Sequence, residues 1–225
     1  IYTVLGTIGH FISCSMAGYA LARYHFVGKR FWFVVVLLSI VIPTQAIIVP
    51  LYLPYSNFGW LNSYLPVLVP TFFGFGLRGG LFIFIFRQFF QGLPKELEDA
   101  ARIDGCGFLK TFARIVIPCS KSAILVVSVL SVVWHWNDYY EPEFYAARET
   151  MRTLVNSLQN MVPYLTSPTL LAELIANMDL VDMEAVINNA VFMAGTFMTI
   201  LPILIAFIFL QKHFMQGIER TGLVE

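Results

Sequence analysis

Long apolar stretches dominate the chain and alternate with short polar segments. A helix needs about 20 mainly apolar residues to cross roughly 30 Å of hydrocarbon. Five stretches have this length, and each predicts one membrane-spanning helix. They cover residues 1–22, 31–53, 65–86, 116–137 and 185–210. The pattern therefore predicts an all-α, polytopic transmembrane helical bundle that forms a single domain over 1–225.

Two of the predicted spans contain residues that disturb a simple apolar helix. Gly9, Ser13 and Ala17 recur every four residues, a spacing that predicts close contact with a neighbouring helix. Pro43 and Pro50 interrupt the second span. Such interruptions persist in membranes where neighbours or a cavity satisfy the freed backbone groups. These features favour a packed bundle around a polar route.

The composition agrees with a membrane protein. Hydrophobic residues make up 58% of the 225 residues and charged residues only 12%, whereas soluble domains average about 25% charged residues. Disorder requires low hydrophobicity and high net charge, so it is excluded. The 14 basic and 14 acidic residues balance, which disfavours a nucleic-acid binder because no basic field would attract phosphates.

The cysteines give no sign of a metal or redox site. Cys14, Cys106 and Cys119 are far apart in the sequence, and no pair has the spacing of metal ligands or of a redox dithiol. We expect buried or cytoplasmic thiols without a special role. We also expect no bound metal and no cofactor.

Basic residues concentrate on one side of the predicted membrane. Eleven of the fourteen fall in or next to 23–30, 87–118 and the C-terminal tail. The positive-inside rule predicts that these parts are cytoplasmic and that 54–64 and 138–184 lie outside. Five spans with a cytoplasmic C-terminus would place Ile1 outside. We therefore expect that a sixth helix is missing at the N-terminus of this multi-pass protein.

The predicted cytoplasmic segment 93–118, called the hairpin segment below, indicates two short helices. Acidic residues crowd its first turn, where they favour the helix dipole. Asp104 and Gly105 mark a turn between the two helices. Ala100 and Ala101 would allow the surface of another protein to approach closely. An amphipathic hairpin that lies on the membrane without a partner is the alternative.

The spacing within the hairpin segment resembles the EAA motif of permease subunits of ATP-binding-cassette importers. That motif reads Glu-Ala-Ala, three residues, Gly, nine residues, Ile-x-Leu-Pro. At these positions the chain has Asp99-Ala100-Ala101, Gly105 and Ile115-Val116-Ile117-Pro118. Asp replaces Glu and Ile replaces Leu. The shorter carboxylate would weaken a salt bridge to a partner.

The resemblance extends over nearly the whole chain. It is to the carbohydrate class-1 uptake family, on the side of the smaller, maltose-permease-like second subunit. Family-like phrases are Arg87-Gln88-Phe89-Phe90, Trp134-His135-Trp136-Asn137-Asp138 and Phe214-Met215-Gln216-Gly217. Such subunits usually have six helices, which agrees with a missing first span. The stretch 141–184 is the least family-like.

This resemblance implies a permease subunit of an ATP-driven, binding-protein-dependent sugar importer in a bacterial-type cell (inner or plasma) membrane. The implied partners are ABC ATPase subunits, a second homologous permease subunit, an extracellular solute-binding protein, the sugar and the lipid bilayer. The chain would form half of the translocation pathway. The EAA helix would sit in a cleft of the ATPase and transmit its closure. The implied ATPase-coupling residues are Glu98, Asp99, Ala100, Ala101, Asp104, Gly105, Phe108, Phe112, Ile115 and Pro118.

The chain itself is not expected to be an enzyme. It contains no G-x-x-x-x-G-K-[ST] loop, so ATP hydrolysis belongs on a separate ATPase subunit. An intramembrane enzyme is a rival class, for which His135 and Asp138 offer a possible acid–base pair. A scaffolding subunit would explain the spans but not the EAA spacing. A permease of the same architecture for a non-sugar solute is the nearest alternative.

Aromatic and amide side chains cluster near the outer end of the fourth predicted span. Aromatic faces stack on the C–H surfaces of sugars and amides bond their hydroxyls, although anchoring at the membrane interface is the alternative. Arg78 lies in or near the third span, and charge at membrane depth indicates function. It could meet the substrate or an acid on the second subunit. The candidate substrate-pathway residues are Trp134, Trp136, Asn137, Tyr140 and Asn188.

Overall fold

The computed structural model describes residues 1–76, 78–146, 151–167, 169 and 189–222, without the side chains of residue 210 and of 212–222. All regular structure within these residues is helical, which confirms the all-α prediction. Numbered in chain order, the elements are α1 (Tyr2–Arg23), α2 (Lys29–Val41), α3 (Thr44–Asn57), α4 (Leu65–Thr71), α5 (Gly79–Gly92), α6 (Glu96–Ile103), α7 (Phe108–Thr111), a π-helical turn (Phe112–Val116), α8 (Ile117–Cys119), α9 (Lys121–Asn137), α10 (Tyr140–Tyr145), α11 (Leu154–Thr166) and α12 (Asn189–Gly222).

Two described helices are long and apolar enough to cross a membrane as single rods. They are α1 and the part of α12 over Asn189–Phe209. Two further pairs qualify if each is one bent span: α2 with α3, which bend by 106°, and Phe108–Cys119 with α9, which bend by 82°. The second predicted span, which its prolines interrupt, is therefore a bent pair, and the fourth is preceded by a sharp bend.

The second predicted span breaks between α2 and α3 at one proline. Ile42 is extended, with φ −69° and ψ 120°, because the residue before a proline is pushed out of the helical region. Pro43 then precedes the first residue of α3. Pro50, which we expected to break the ladder as well, lies inside α3. Of the two prolines predicted to interrupt this span, only Pro43 therefore breaks the helix.

The predicted third span, 65–86, consists of two helices. The seven residues of α4 rise only about 10 Å, and the connection to α5 is irregular at the described residues 72–76 and 78. Gly74 and Gly76 take φ of 71° and 100° in this loop, a left-handed geometry that glycine adopts freely and that ends a helix. Hydrophobicity alone predicted one span because the loop is as apolar as a helix.

Helix α1 lies at the centre of the bundle and packs against α4, α5 and α9. Its small residues permit the close contact that their spacing predicts. A Cβ added at Gly9 would lie 2.2 Å from Thr71 Oγ1, and one at Gly18 would lie 2.7 Å from Phe86 Cβ. Ser13 donates its hydroxyl proton to the Thr71 carbonyl at 2.6 Å. These positions fix α1 against its neighbours without room for larger side chains.

Buried apolar side chains form two clusters, one toward each end of α1. The first surrounds Tyr19 and includes Phe90 and Phe112. The second contains Tyr2 and Tyr145. The three cysteines are free, with Cys14 buried, Cys106 half-buried and Cys119 exposed.

Candidate functional site

The hairpin segment has the predicted form of two short helices joined by a tight turn. α6 ends at Ile103, and Gly105 takes φ 73°. The backbone N–H of Cys106 bonds the Ala101 carbonyl at 2.9 Å, and that of Gly105 bonds the Arg102 carbonyl at 3.0 Å. This pair of bonds is a Schellman motif, which needs a left-handed residue and most often uses glycine. The position of Gly105 is thus explained by the turn itself.

A π-helical turn connects α7 to the membrane helix that follows. It covers Phe112–Val116, so it includes Ile115, and Pro118 comes just after it. The chain then bends by 82° into α9. Ser120 stands at the bend and donates its hydroxyl proton to the Val116 carbonyl at 2.6 Å. Isolated π turns inside helices are frequent at functional sites, and this one joins the hairpin segment directly to a span.

A buried ion pair attaches the hairpin segment to the central helix. Arg23 Nε lies 2.7 Å from Glu98 Oε1, and the two side chains are 6% and 8% exposed. The Tyr19 hydroxyl donates to Glu98 Oε2 at 3.0 Å, and the Arg23 guanidinium also donates to the Leu93 carbonyl. When a carboxylate and a guanidinium are both buried, removal of either one leaves the charge of the other uncompensated. This contact ties α6 to the end of α1.

An aromatic cluster strengthens the same attachment. The Tyr19 ring centroid lies 5.5 Å from that of Phe108 and 5.2 Å from that of Phe112. Phe90 of α5 lies 5.7 Å away in an edge-to-face arrangement. Such pairs stabilise beyond the area they bury. Both helices of the hairpin segment are therefore held to the membrane helices through one tyrosine.

The two faces of the hairpin segment differ sharply. Glu98 and Ala101, three residues apart, share the inner face of α6, and Ala101 is only 2% exposed. The expectation that Ala101 and Glu98 contact another protein is therefore wrong, because both side chains are buried within this chain. The outer surface carries Ile103, 87% exposed, and Leu109, 63% exposed. Neither of these two belongs to the predicted coupling set. Of that set, Phe112 is buried and Ile115 half-buried, and the exposed members are Asp99, Ala100, Asp104, Gly105, Phe108 and Pro118.

The predicted substrate-pathway residues do not form one cluster. Trp134 packs on Phe82 of α5 with ring centroids 5.5 Å apart, whereas Trp136 donates its indole proton to the Thr199 carbonyl of α12 at 3.0 Å. Residues two apart in a helix point in nearly opposite directions, so the two tryptophans face different neighbours. The expectation of one aromatic patch is therefore wrong.

The polar members of that set have separate surroundings too. Asn137 is exposed and donates to the Val133 carbonyl, one turn back in its own helix, at 2.8 Å. Tyr140 is 47% exposed and its ring packs edge-to-face with Tyr139. Asn188 lies outside the described residues. None of these contacts occupies all the polar atoms, so the side chains retain free hydrogen-bonding capacity.

His135 and Asp138 do not form the acid–base pair considered above. The Asp138 carboxylate accepts the Tyr2 hydroxyl proton at 2.6 Å. His135 donates from Nδ1 to the Ser131 carbonyl at 2.8 Å, and its ring centroid lies 5.0 Å from that of His10. Both histidines are buried. Across the described residues no group of three or more His, Cys, Asp or Glu side chains is placed to hold a metal.

The sequence profile of the binding-protein-dependent transport system inner membrane component matches residues 14–220. The arabinooligosaccharides transport system permease protein AraQ of Halalkalibacterium halodurans is 34% identical over 92% of this chain and 66% of its own length. The sn-glycerol-3-phosphate transport system permease protein UgpE of Yersinia pestis is 26% identical over 94% and 67%. The chain thus spans about two thirds of the length of these relatives.

A solved structure has the same fold. It is a bacterial ABC transporter involved in the import of the acidic polysaccharide alginate, and its matching chain superposes with a TM-score of 0.73 at 23% identity. The match covers 95% of this chain and 71% of that one. At this identity the likeness concerns the fold alone. With the profile match over most of its length, the chain belongs to the family of binding-protein-dependent transport system inner membrane components.

Proposed function

We propose that the chain is the membrane-spanning permease subunit of an ATP-driven, binding-protein-dependent sugar importer. It forms half of the translocation pathway together with a second, homologous permease subunit. ATP hydrolysis takes place on separate ATPase subunits, and an extracellular solute-binding protein delivers the sugar. Its relatives include permease proteins of arabinooligosaccharide and sn-glycerol-3-phosphate transport systems, which supports this substrate class.

The observation that carries the proposal is the two-faced hairpin segment. Its inner face is occupied by the Arg23–Glu98 ion pair and the aromatic cluster around Tyr19. Away from that face the segment exposes Ile103 and Leu109, and Ile103 lies on α6, which belongs to no candidate span. Exposed apolar side chains outside the spans favour an interaction site. Since Asp99 and Asp104 stand among them, a protein surface suits this face better than lipid does.

The attachment of the hairpin segment supplies a mechanism for coupling. When the ATPase subunits close, they move the hairpin segment as one unit. The Arg23–Glu98 ion pair passes this movement to α1, and the π-helical turn passes it along the backbone to α9. Because α1 packs against α4, α5 and α9, the movement reaches the wall of the pathway. Of the candidate pathway residues, Trp134, Trp136 and Asn137 lie on α9 and Tyr140 begins α10, so they reach this wall at separate positions. Asn188 is assigned to the pathway from the sequence alone.

We propose the orientation that the distribution of basic residues predicts. The hairpin segment and the C-terminal tail are cytoplasmic, and 138–184 faces the binding protein. Ser167, at the end of α11, lies within this external segment. A cysteine placed there reacts with an impermeant thiol reagent in intact cells. Reaction only after lysis would invert the orientation.

A co-purification experiment tests the docking of the ATPase. In Ile103→Asp a carboxylate replaces the most exposed apolar side chain of α6, so the ATPase subunit no longer co-purifies with the chain in mild detergent. The matched control is Leu154→Asp, since Leu154 is 59% exposed on α11, on the side proposed to be external. Both variants insert at parental levels. Full retention of the ATPase by Ile103→Asp would remove the hairpin segment as its docking site.

A further inference from the structure

A cavity of about 280 Å³ lies where two helices are broken. One wall comes from the break between α2 and α3, and the other comes from the irregular loop between α4 and α5. Its polar lining side chains are Ser39, Thr44, Gln45 and Arg78. The coupling mechanism described above uses none of them.

Helix lengths place this cavity inside the membrane. Beyond the predicted cytoplasmic residues, α2 continues over 31–41 and α5 covers 79–86, so these parts rise about 17 Å and about 12 Å. The hydrocarbon core is about 30 Å thick. Both breaks therefore lie near its middle. Irregular backbone at such depth is tolerated only inside protein or along a water-filled cavity.

Arg78 is the charged side chain of this cavity, and its backbone is unusual. Its φ of 64° is left-handed, a conformation that residues with a Cβ rarely adopt and that glycine would adopt easily. Its guanidinium lies 5.6 Å from the centre of the Trp134 ring. Among the described residues no carboxylate lies within ion-pair distance of it. A cation at membrane depth normally has a functional counterpart.

We propose that this cavity binds an anionic sugar derivative, a single ring or a polyol that carries a carboxylate or a phosphate. The Arg78 guanidinium pairs with the anion, while Trp134 holds the guanidinium by a cation–π contact. Thr44 and Gln45 bond the hydroxyls. Small-molecule sites usually measure about 300–1,000 Å³, so a cavity at the lower limit suits one ring. This inference rests on the proposed function and names its substrate class.

The first test measures the charge that the cavity presents to water. In the assembled transporter, Cys106 and Cys119 are replaced by serine, the buried Cys14 is kept, and Gln45→Cys is the reporter. Membrane vesicles are treated with two thiosulfonate reagents of similar size, one bearing a sulfonate and one a trimethylammonium group. A cation that lines the same cavity raises the ratio of anionic to cationic labelling rates about tenfold.

Three variants of Arg78 provide the comparison. Arg78→Gln lowers the ratio of labelling rates about tenfold, and Arg78→Lys keeps it because the charge remains. Arg78→Gly also lowers it, and its backbone fits the left-handed geometry, so loss of folding cannot explain the result. The control reporter Ser157→Cys, exposed on α11, shows a ratio that does not change with residue 78. The proposal is overturned if the ratio of labelling rates at Gln45→Cys is the same in all residue-78 variants, or if Gln45→Cys is not labelled at all.

The second test identifies the anion by protection of Gln45→Cys. D-galacturonate carries a carboxylate, glycerol 3-phosphate carries a phosphate, and D-galactose carries neither. Protection by the first or the second, and not by galactose, supports the site and names its anion. Equal protection by galactose, or protection by none of the three, overturns it. Labelling does not require ATP hydrolysis. Absence of the anion site would therefore leave the coupling proposal unaffected. Loss of coupling would in turn leave the labelling ratios unchanged.

Discussion

The buried ion pair between Arg23 and Glu98 permits a quantitative test of how the hairpin segment is attached. Glu98→Gln keeps the size of the side chain and its contact with Tyr19 but removes its charge. Arg23, 6% exposed, then stays buried without a counter-charge. We expect α6 to open locally far more often, because its inner face no longer satisfies that guanidinium.

The size of the effect follows from the burial of the pair. Removing one partner of a buried ion pair destabilises by about 3–5 kcal/mol. The lower value applies here because Arg23 keeps its hydrogen bond to the Leu93 carbonyl. About 3 kcal/mol corresponds to roughly a hundredfold change in an equilibrium constant. Replacing both charges, by Arg23→Met with Glu98→Met, leaves no unpaired ion and restores most of the stability.

Amide hydrogen exchange, followed by mass spectrometry on the transporter in lipid nanodiscs, measures this opening. In Glu98→Gln the amides of Glu96–Ile103 exchange about a hundredfold faster, and the double variant returns close to the parental rate. Arg102→Gln is the control, because its ion pair with Asp99 is 3.6 Å long and largely exposed. Such surface pairs contribute about 0–1 kcal/mol. Less than about fivefold acceleration in Glu98→Gln, or a double variant as fast as the single one, would show that the ion pair does not hold α6 in place.

Three further predictions concern the turn, the external side and the pathway. Gly105→Val places a β-branched residue at φ 73°, which costs about 1–2 kcal/mol, so the chain inserts but loses uptake and binding-protein-stimulated ATP hydrolysis. Gly107→Val, at φ −74°, keeps both, and equal activity of the two variants would exclude a role for the turn. Burial and the neighbouring Asp138 carboxylate raise the pKa of Glu141, in α10 outside the spans, to about 8. The folded state therefore binds an extra proton above the ordinary pKa of about 4.5, and stability falls as the pH rises from there through 8. Glu141→Gln should remove this part of the decrease in melting temperature between pH 5 and pH 9, and an unchanged decrease would contradict it. Asn137→Leu lowers sugar uptake without a change in assembly, and unaltered transport kinetics would remove Asn137 from the pathway.

The sequence predicted those parts of the site that depend on local patterns. The turn at Gly105 followed from the Asp-Gly pair between two short amphipathic stretches, and its Schellman bonds confirm that expectation. The close contact of α1 at Gly9 and Ser13 followed from small residues at helical spacing. In each case the signal lies within one or two turns of helix.

What the sequence did not reveal depends on residues far apart in the chain. A glutamate in a charged stretch suggests a surface position, and only the fold brings Glu98 to Arg23. The three-residue spacing between Glu98 and Ala101 was the one sequence signal that both residues face the same side of α6. The irregular connection between α4 and α5 was not predicted, because its apolar side chains keep the average hydrophobicity high despite its glycines. For the same reason the cavity beside Arg78 was not predicted.

The proposed coupling requires contact between the outer surface of the hairpin segment and an ATPase subunit. Photo-cross-linking measures this contact, with a benzophenone attached to Ala100→Cys, which is exposed on α6, after Cys106 and Cys119 are replaced by serine. We expect an adduct with the ATPase subunit from this position. We expect none from Ala101→Cys, which is buried, and none from the exposed Ser157→Cys on α11. Absence of the adduct at Ala100→Cys, or an equal adduct from Ser157→Cys, would show that the ATPase subunit does not dock on the hairpin segment.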